Sequence, residues 1–143
     1  MVEIIVPGKP IAKKRPRFVA NRYGKGGHAY NDQQTEEGKF LLLCLGTIKE
    51  KFDCALSMRC CFVFDRPKSH FGTGKNAGVL KTSAPAHHTG KPDIDNLLKF
   101  VCDSLNNVAF RDDSQIVNKF GSKRYAEAGE ESRTEIRLEE VAG

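Results

Sequence analysis

The sequence predicts an α+β domain in which two main helices pack on one face of a mixed β-sheet. Three observations point there. Strand-like segments stand near both ends of the chain, a short apolar one at residues 2–6 and one at 134–141 in which apolar and charged residues alternate. Between them lie two stretches of helical periodicity. The segments then follow one another in the order βββαβαββ, which suggests two helices packed on one mixed sheet. At 143 residues the chain is long enough to bury a real core, and a single domain spanning 1–143 is expected.

"VEIIV" reads as a first strand, stopped by Pro7 and Gly8. "PGKPIAKKRPRF" follows, and its three prolines exclude a regular helix and favour an extended basic segment. "RFVANRYGKGGHAY" has the form of a hairpin about a glycine-rich turn at 24–27. A helix is expected over 32–52: Phe40, Leu41, Cys44, Leu45 and Ile48 share a face, and "TEE" places acids in the first turn. "ALSMRCCFVF" is a strand whose apolar run at 60–64 suits a central position. Residues 66–91 form a long loop, and loops of that length in a compact domain are functional or disordered. Ile94, Leu97, Leu98, Val101, Leu105 and Val108 trace one face of a second helix. After a break around 107–113, "SQIVNKFGSKRYAE" and "TEIRLEEV" supply two strands about the turn "AGEES".

No apolar run approaches the ~20 residues a membrane span needs; the longest candidate is 40–45. The N-terminus lacks the basic region and apolar stretch of a signal peptide, so a cytoplasmic location and no membrane partner are expected. Cys44, Cys54, Cys60, Cys61 and Cys102 are odd in number and contain no C-x-x-C pair. They read as reduced, mostly buried small hydrophobes, with Cys60 and Cys61 on opposite faces of their strand.

Charge is segregated along the chain. The net charge of +5 and a pI near 9.0 suit a polyanionic partner. Lys9, Lys13, Lys14, Arg15, Arg17, Arg22 and Lys25 are opposed only by Glu3 across the first thirty residues, and 67–92 holds four lysines and no acid. Acids gather instead at 32–37, at 93–113 and from 127 onward. Lys13, Lys14, Arg15 and Arg17, beside Phe18 in a proline-stiffened segment, read as an arm that grips DNA phosphates without reading bases. A solvated loop is the other reading of the same residues.

The acidic stretch "KPDIDNLLKFVCDSLNNVAFRDDSQIV" also admits two readings. Asp93 stands at a helix N-cap and Asp95 in the first turn, where carboxylates satisfy backbone N–H groups and complement the helix dipole. Asp95, Lys99 and Asp103 are spaced i, i+4, i+8, as in a surface salt-bridge ladder. Alternatively, Asp93 in the extended approach and Asp95 in the first turn converge. Asp112 and Asp113 recur at the next chain break, and the two clusters meet at a sheet edge. Three or four hard oxygen ligands suit Mg²⁺, which binds through few carboxylates plus waters and substrate phosphate. Lys99, one turn from Asp95, would then neutralise charge on a reacting phosphate.

Other motifs carry less. "FGTGKNAG" lacks the spacing and context of a phosphate-binding loop. His87 and His88 are adjacent and poorly placed to share a metal; a loop surface near DNA is expected of them. Phe110 is expected in the core.

The combination D-x-D-N-L-x-K with a downstream D-D-x-Q-I, together with "PGKPIAKKRPRF", resembles the RusA family of Holliday-junction resolvases, from Ile4 to the final strand. The resemblance implies a RusA-like α+β fold and a homodimeric, Mg²⁺-dependent endonuclease using one or two ions. Such an enzyme resolves four-way DNA junctions by paired nicks in recombination and repair, leaving a 5′-phosphate and a 3′-hydroxyl, and is bacterial or phage-encoded. It further implies that Asp93, Asp95 and Asp113 are metal-binding catalytic carboxylates, Lys99 the catalytic lysine and Asp112 the adjacent acid. The loop 66–91 is longer than in compact members. A metal-dependent nuclease on flaps or forks, and a non-catalytic nucleic-acid-binding module, are the alternatives.

Overall fold

The computed structural model describes residues 1–14, 17–20, 24, 26–30 and 33–143, without the side chains of 17–19 and 28–30. Its elements follow the expected order: β1 (Val2–Pro7), β2 (Arg17–Ala20), β3 (Gly27–Tyr30), α1 (Gln34–Cys44), β4 (Leu56–Phe64), α2 (Ile94–Leu105), β5 (Ile116–Tyr125) and β6 (Arg133–Glu140). β1, β6, β4 and β5 form one mixed sheet in that spatial order, and β2 and β3 pair as a separate antiparallel hairpin. β6 runs antiparallel to both β1 and β4, whereas β4 and β5 are parallel. A parallel pair needs a crossover. Here α2 is the crossover helix, so the acidic stretch is carried across the sheet on that connection.

One buried cluster unites the helices with one sheet face. Ile4 and Val6 of β1, Met58, Cys60 and Phe62 of β4, and Ile136 and Leu138 of β6 meet Phe40 and Cys44 of α1 and Leu97, Phe100, Val101 and Leu105 of α2. The period-two burial of the strands and the strongly one-sided apolar face of α2 are two views of this layer. Phe40 and Phe100 lock the two helices edge to face, with ring centroids 5.4 Å apart. Phe110 is fully buried, as expected. All five cysteines are free; Cys44, Cys60 and Cys102 are buried and Cys54 and Cys61 partly so. Burial pushes the Cys44 thiol up to about 11, which leaves it inert. No helix among the described residues is long and apolar enough to cross a membrane.

Two expectations need correction. The first helix is shorter than 32–52, ending at Cys44. Thr47 and Ile48 donate their N–H groups to the Cys44 carbonyl, and the chain then runs out so that Phe52 forms a β-bridge with Phe110. Residues 45–52 are therefore spent reaching β4. Asp32, the expected first residue, lies outside the described residues. The second correction concerns His88, expected on a DNA-facing loop surface. Its ring stacks on Phe64 at 4.0 Å and meets Tyr125 edge-on at 5.0 Å. Burial, reinforced by the Lys123 charge, lowers its pKa, so the imidazole packs as a neutral ring.

The loop 66–91 is stitched to the sheet along its length. Arg66 donates to the carbonyls of Ala126 and Pro85, and the Tyr125 N–H donates to the Ala86 carbonyl. Two 3₁₀ turns, Lys68–His70 and Gly74–Asn76, and a bridge from Phe71 to Leu80 fold the rest back on itself.

Candidate active site

α2 begins where the sequence places it. Asp93 is the N-cap residue, extended at φ −72° and ψ 150°, and Asp95 lies in the first turn. Lys123 of β5 fixes this approach by donating to the carbonyls of Gly90 and Pro92, around the cis Lys91–Pro92 peptide. Two residues before Lys123, Gly121 lets the helix settle on the strand. A Cβ there would stand 2.7 Å from Ile94 Cγ2 and 2.9 Å from Leu98 Cδ1.

The structural roles open to the acids are mostly not filled. Asp93 makes no side-chain cap hydrogen bond despite its N-cap position. The ladder of Asp95, Lys99 and Asp103 does not form: Asp103 instead accepts Lys13 Nζ at 3.3 Å. Asp93, Asp95, Lys99 and Asp113 are all exposed, and none pairs with an opposite charge among the described residues.

Asp112 behaves differently. It caps the short 3₁₀ turn Asp113–Gln115, accepting the Ser114 N–H at 3.1 Å, and hydrogen bonds from the Ser114 hydroxyl and then its N–H hold its carboxyl below the ordinary carboxylate value. Gln115 completes the capping box. Its side-chain oxygen accepts the N–H groups of Arg111 and Asp112, and its amide nitrogen donates to the carbonyls of Phe52 and Cys54. Asn106, at the end of α2, accepts the Asp113 N–H at 3.0 Å. The turn is thus pinned from three sides, and Asp113 stands on it with a free carboxylate.

Asp95 and Asp113 open onto one cavity of about 380 Å³, shared with Lys99, Cys102 and Asp103 of α2 and Lys119 of β5. Asp93 and Asp112 do not line it. β5 is an edge strand, so the groove between it and α2 faces solvent. Among the described residues, no three His, Cys, Asp or Glu side chains gather closely enough to hold a metal alone. The donor set still fits a hard divalent cation, because Mg²⁺ takes one or two carboxylates and completes its shell with water and substrate phosphate.

The basic segment lies against this site. The Lys13 N–H donates to the Asn96 carbonyl at 2.9 Å. The buried Gln33 side chain donates to the Ala12 carbonyl and accepts the Lys14 N–H. Lys13 Nζ bridges Glu37 of α1 at 2.7 Å and Asp103 of α2. Burial opposes its charge, but the two carboxylates prevail and raise its pKa. Lys13 is therefore a strap between the helices, with its ammonium largely enclosed. Lys14 points outward, 63% exposed, its Nζ 3.5 Å from Glu36. Arg15 lies outside the described residues, and Arg17 is placed by its backbone in β2.

Sequence reasoning did not single out Lys119, Gly121, Lys123, Asn106 or the structural work of Gln115. Only Gln115 had a readable signal: Asp112 followed three residues later by Gln is a capping-box pattern.

With this geometry in place, the class is an α+β protein carrying an acidic groove beside a basic segment. The chain matches the family described as endodeoxyribonuclease RusA over residues 7–139 of its 143, and it belongs to that family. It is also 46% identical over 54 residues to the uncharacterized protein YqaN of Bacillus subtilis (strain 168). That match covers 38% of this chain and 36% of the relative.

Proposed function

We propose that the protein is a divalent-metal-dependent endodeoxyribonuclease that acts as a homodimer and resolves four-way DNA junctions by paired nicks, in recombination and repair. The observation that carries this reading is the set of unused carboxylates. Asp93, Asp95 and Asp113 take up none of the caps and ion pairs that would explain them structurally, and two of them share a groove with Lys99. Membership of the RusA family supports the same reaction class.

Asp95 and Asp113, with Asp93 beside them, would hold Mg²⁺. The ion would supply Lewis-acid activation of water and charge neutralisation at the scissile phosphate. Lys99, from the wall that carries Asp95, stabilises negative charge as it builds on the phosphoryl oxygens. Asp112 stays in its turn, where its carboxylate is committed to the Ser114 N–H. Lys14, Arg15 and Arg17 would contact phosphates away from the reacting centre, while Lys13 holds their segment in register with both helices. The chain would work in the cytoplasm of a bacterium or of a phage-infected cell.

The test is a side-by-side assay on a synthetic four-way junction, with nicking in Mg²⁺ and binding in EDTA. Asp95→Asn and Asp113→Asn should each lower cleavage by roughly 10²-fold or more, the scale of losing one charge-stabilising group in a site. Binding should survive or tighten, since one negative charge near DNA is removed. Wild-type cleavage by Asp95→Asn would sink the metal-site reading. Cleavage of forks or flaps in preference to junctions would reassign the substrate, and binding without any cleavage would leave a nucleic-acid-binding module.

A further inference from the structure

The groove contains a cation that the proposed chemistry does not use. Lys119 of β5 stands opposite β4 residue Met58, which is fully buried on the helix-bearing face of the sheet. Lys119, Gly121 and Lys123 alternate along β5 and share that face. At Gly121 the strand touches α2. Lys123, to one side of the contact, is consumed by the carbonyls of Gly90 and Pro92. Lys119, to the other side, enters the cavity of Asp95, Lys99 and Asp113 and pairs with no acid among the described residues. Its charge also reaches Cys102 on the facing helix, where it works against the burial that raises that thiol.

We infer that Lys119 is a second phosphate-binding cation of the active site, gripping a backbone phosphate of the strand being cut from the wall opposite Lys99. This rests on the endonuclease reading. Charge balance favours it. Within the cavity, which Asp93 does not line, Asp95 and Asp113 against a divalent ion cancel and Asp103 is offset by Lys13, so Lys99 alone would face both the scissile phosphate and its neighbour along the strand. A second ammonium from the other wall matches two consecutive phosphates with two cations and orients the strand across the groove. A lysine on an edge strand has another use, since an inward charge there discourages edge-to-edge association, and the experiment must separate the two roles.

Three measurements on Lys119→Gln and Lys119→Arg do so: junction binding by fluorescence anisotropy in EDTA over a range of KCl, single-turnover nicking in Mg²⁺, and light scattering. A phosphate contact predicts that Lys119→Gln lowers the slope of log affinity against log salt by about 0.9. Nicking should fall roughly tenfold to a hundredfold, the range for losing a charged hydrogen bond, and Lys119→Arg should restore both. An unchanged slope and rate, whether or not the variant aggregates, would overturn the inference and leave Lys119 as an edge-protecting charge. If wild-type protein binds junctions but never nicks, the endonuclease reading fails, and the salt slope alone still decides whether Lys119 holds phosphate.

Discussion

Asp112 and Asp113 are adjacent and chemically identical, yet the fold gives them separate work. The Asp112 carboxylate accepts the Ser114 N–H, whereas Asp113 is held by its backbone, through Asn106, and keeps its side chain for the groove. The two therefore fail differently when changed. Asp113→Ala should abolish nicking with little change in melting temperature. Asp112→Ala should lower the melting temperature and retain a substantial part of the activity. Gln115→Ala should do both, because four hydrogen bonds that hold the turn are lost together. Its stability loss should be about 2 kcal/mol or more, since it leaves backbone groups unsatisfied. Thermal melts read beside nicking rates check all three, and equal loss of activity from Asp112→Ala and Asp113→Ala would return Asp112 to the metal site. The carboxylates and Lys99 could be put forward from the sequence because D-x-D and D-D at chain breaks carry a chemical pattern. Lys119 was not, because nothing in "NKF" says which face of the strand will meet a helix.

In the proposed site the working unit at the scale of elements is the contact between α2 and β5, since Asp95 and Lys99 ride on the helix while Lys119 rides on the strand. Gly121 sets their separation. Gly121→Ala would press a methyl group into Ile94 and Leu98, and overpacking of this kind costs about 1–3 kcal/mol. The tip of Leu98 can turn aside, but Ile94 Cγ2 is carried directly on the β-carbon of a stiff side chain, so relief there moves the helix away from β5 and widens the groove. Nicking by Gly121→Ala should therefore fall more steeply than stability, whereas Gly38→Ala, at a position with open space around it, should leave both near wild type. Equal and small losses in the two variants would show that the groove tolerates displacement. The helix itself was plain from its apolar stripe, and the strands from their alternation. The length of α1 was not, because Leu45 and Ile48 continue the helical spacing while the chain turns away to reach Phe110. Nor was the fate of loop 66–91, whose order comes from Arg66 and His88 docking on strand ends far away in sequence.

For the whole molecule, the proposed reaction sets a demand that one copy of the chain does not meet. Paired nicks in opposing strands need two active sites related by a two-fold axis, and a C₂ dimer supplies them with one self-complementary surface. The surface best suited is on α1. Its inward side buries Phe40 and Cys44, while Leu42 is 72% exposed and Leu43 and, just past the helix end, Leu45 are about half exposed. A helix with apolar residues on both sides is usually covered on both. These leucines lie outside the core cluster, so charging them should spare the fold of the protomer. Wild-type protein at micromolar concentration should scatter light as a dimer, and the double variant Leu42→Glu, Leu43→Glu as a monomer with a similar melting transition. On a four-way junction the monomer should bind more weakly and release singly nicked product, because each encounter brings only one groove to the DNA. A variant that is monomeric by light scattering and still cuts both strands in one binding event would show that pairing of the nicks does not depend on a two-fold dimer.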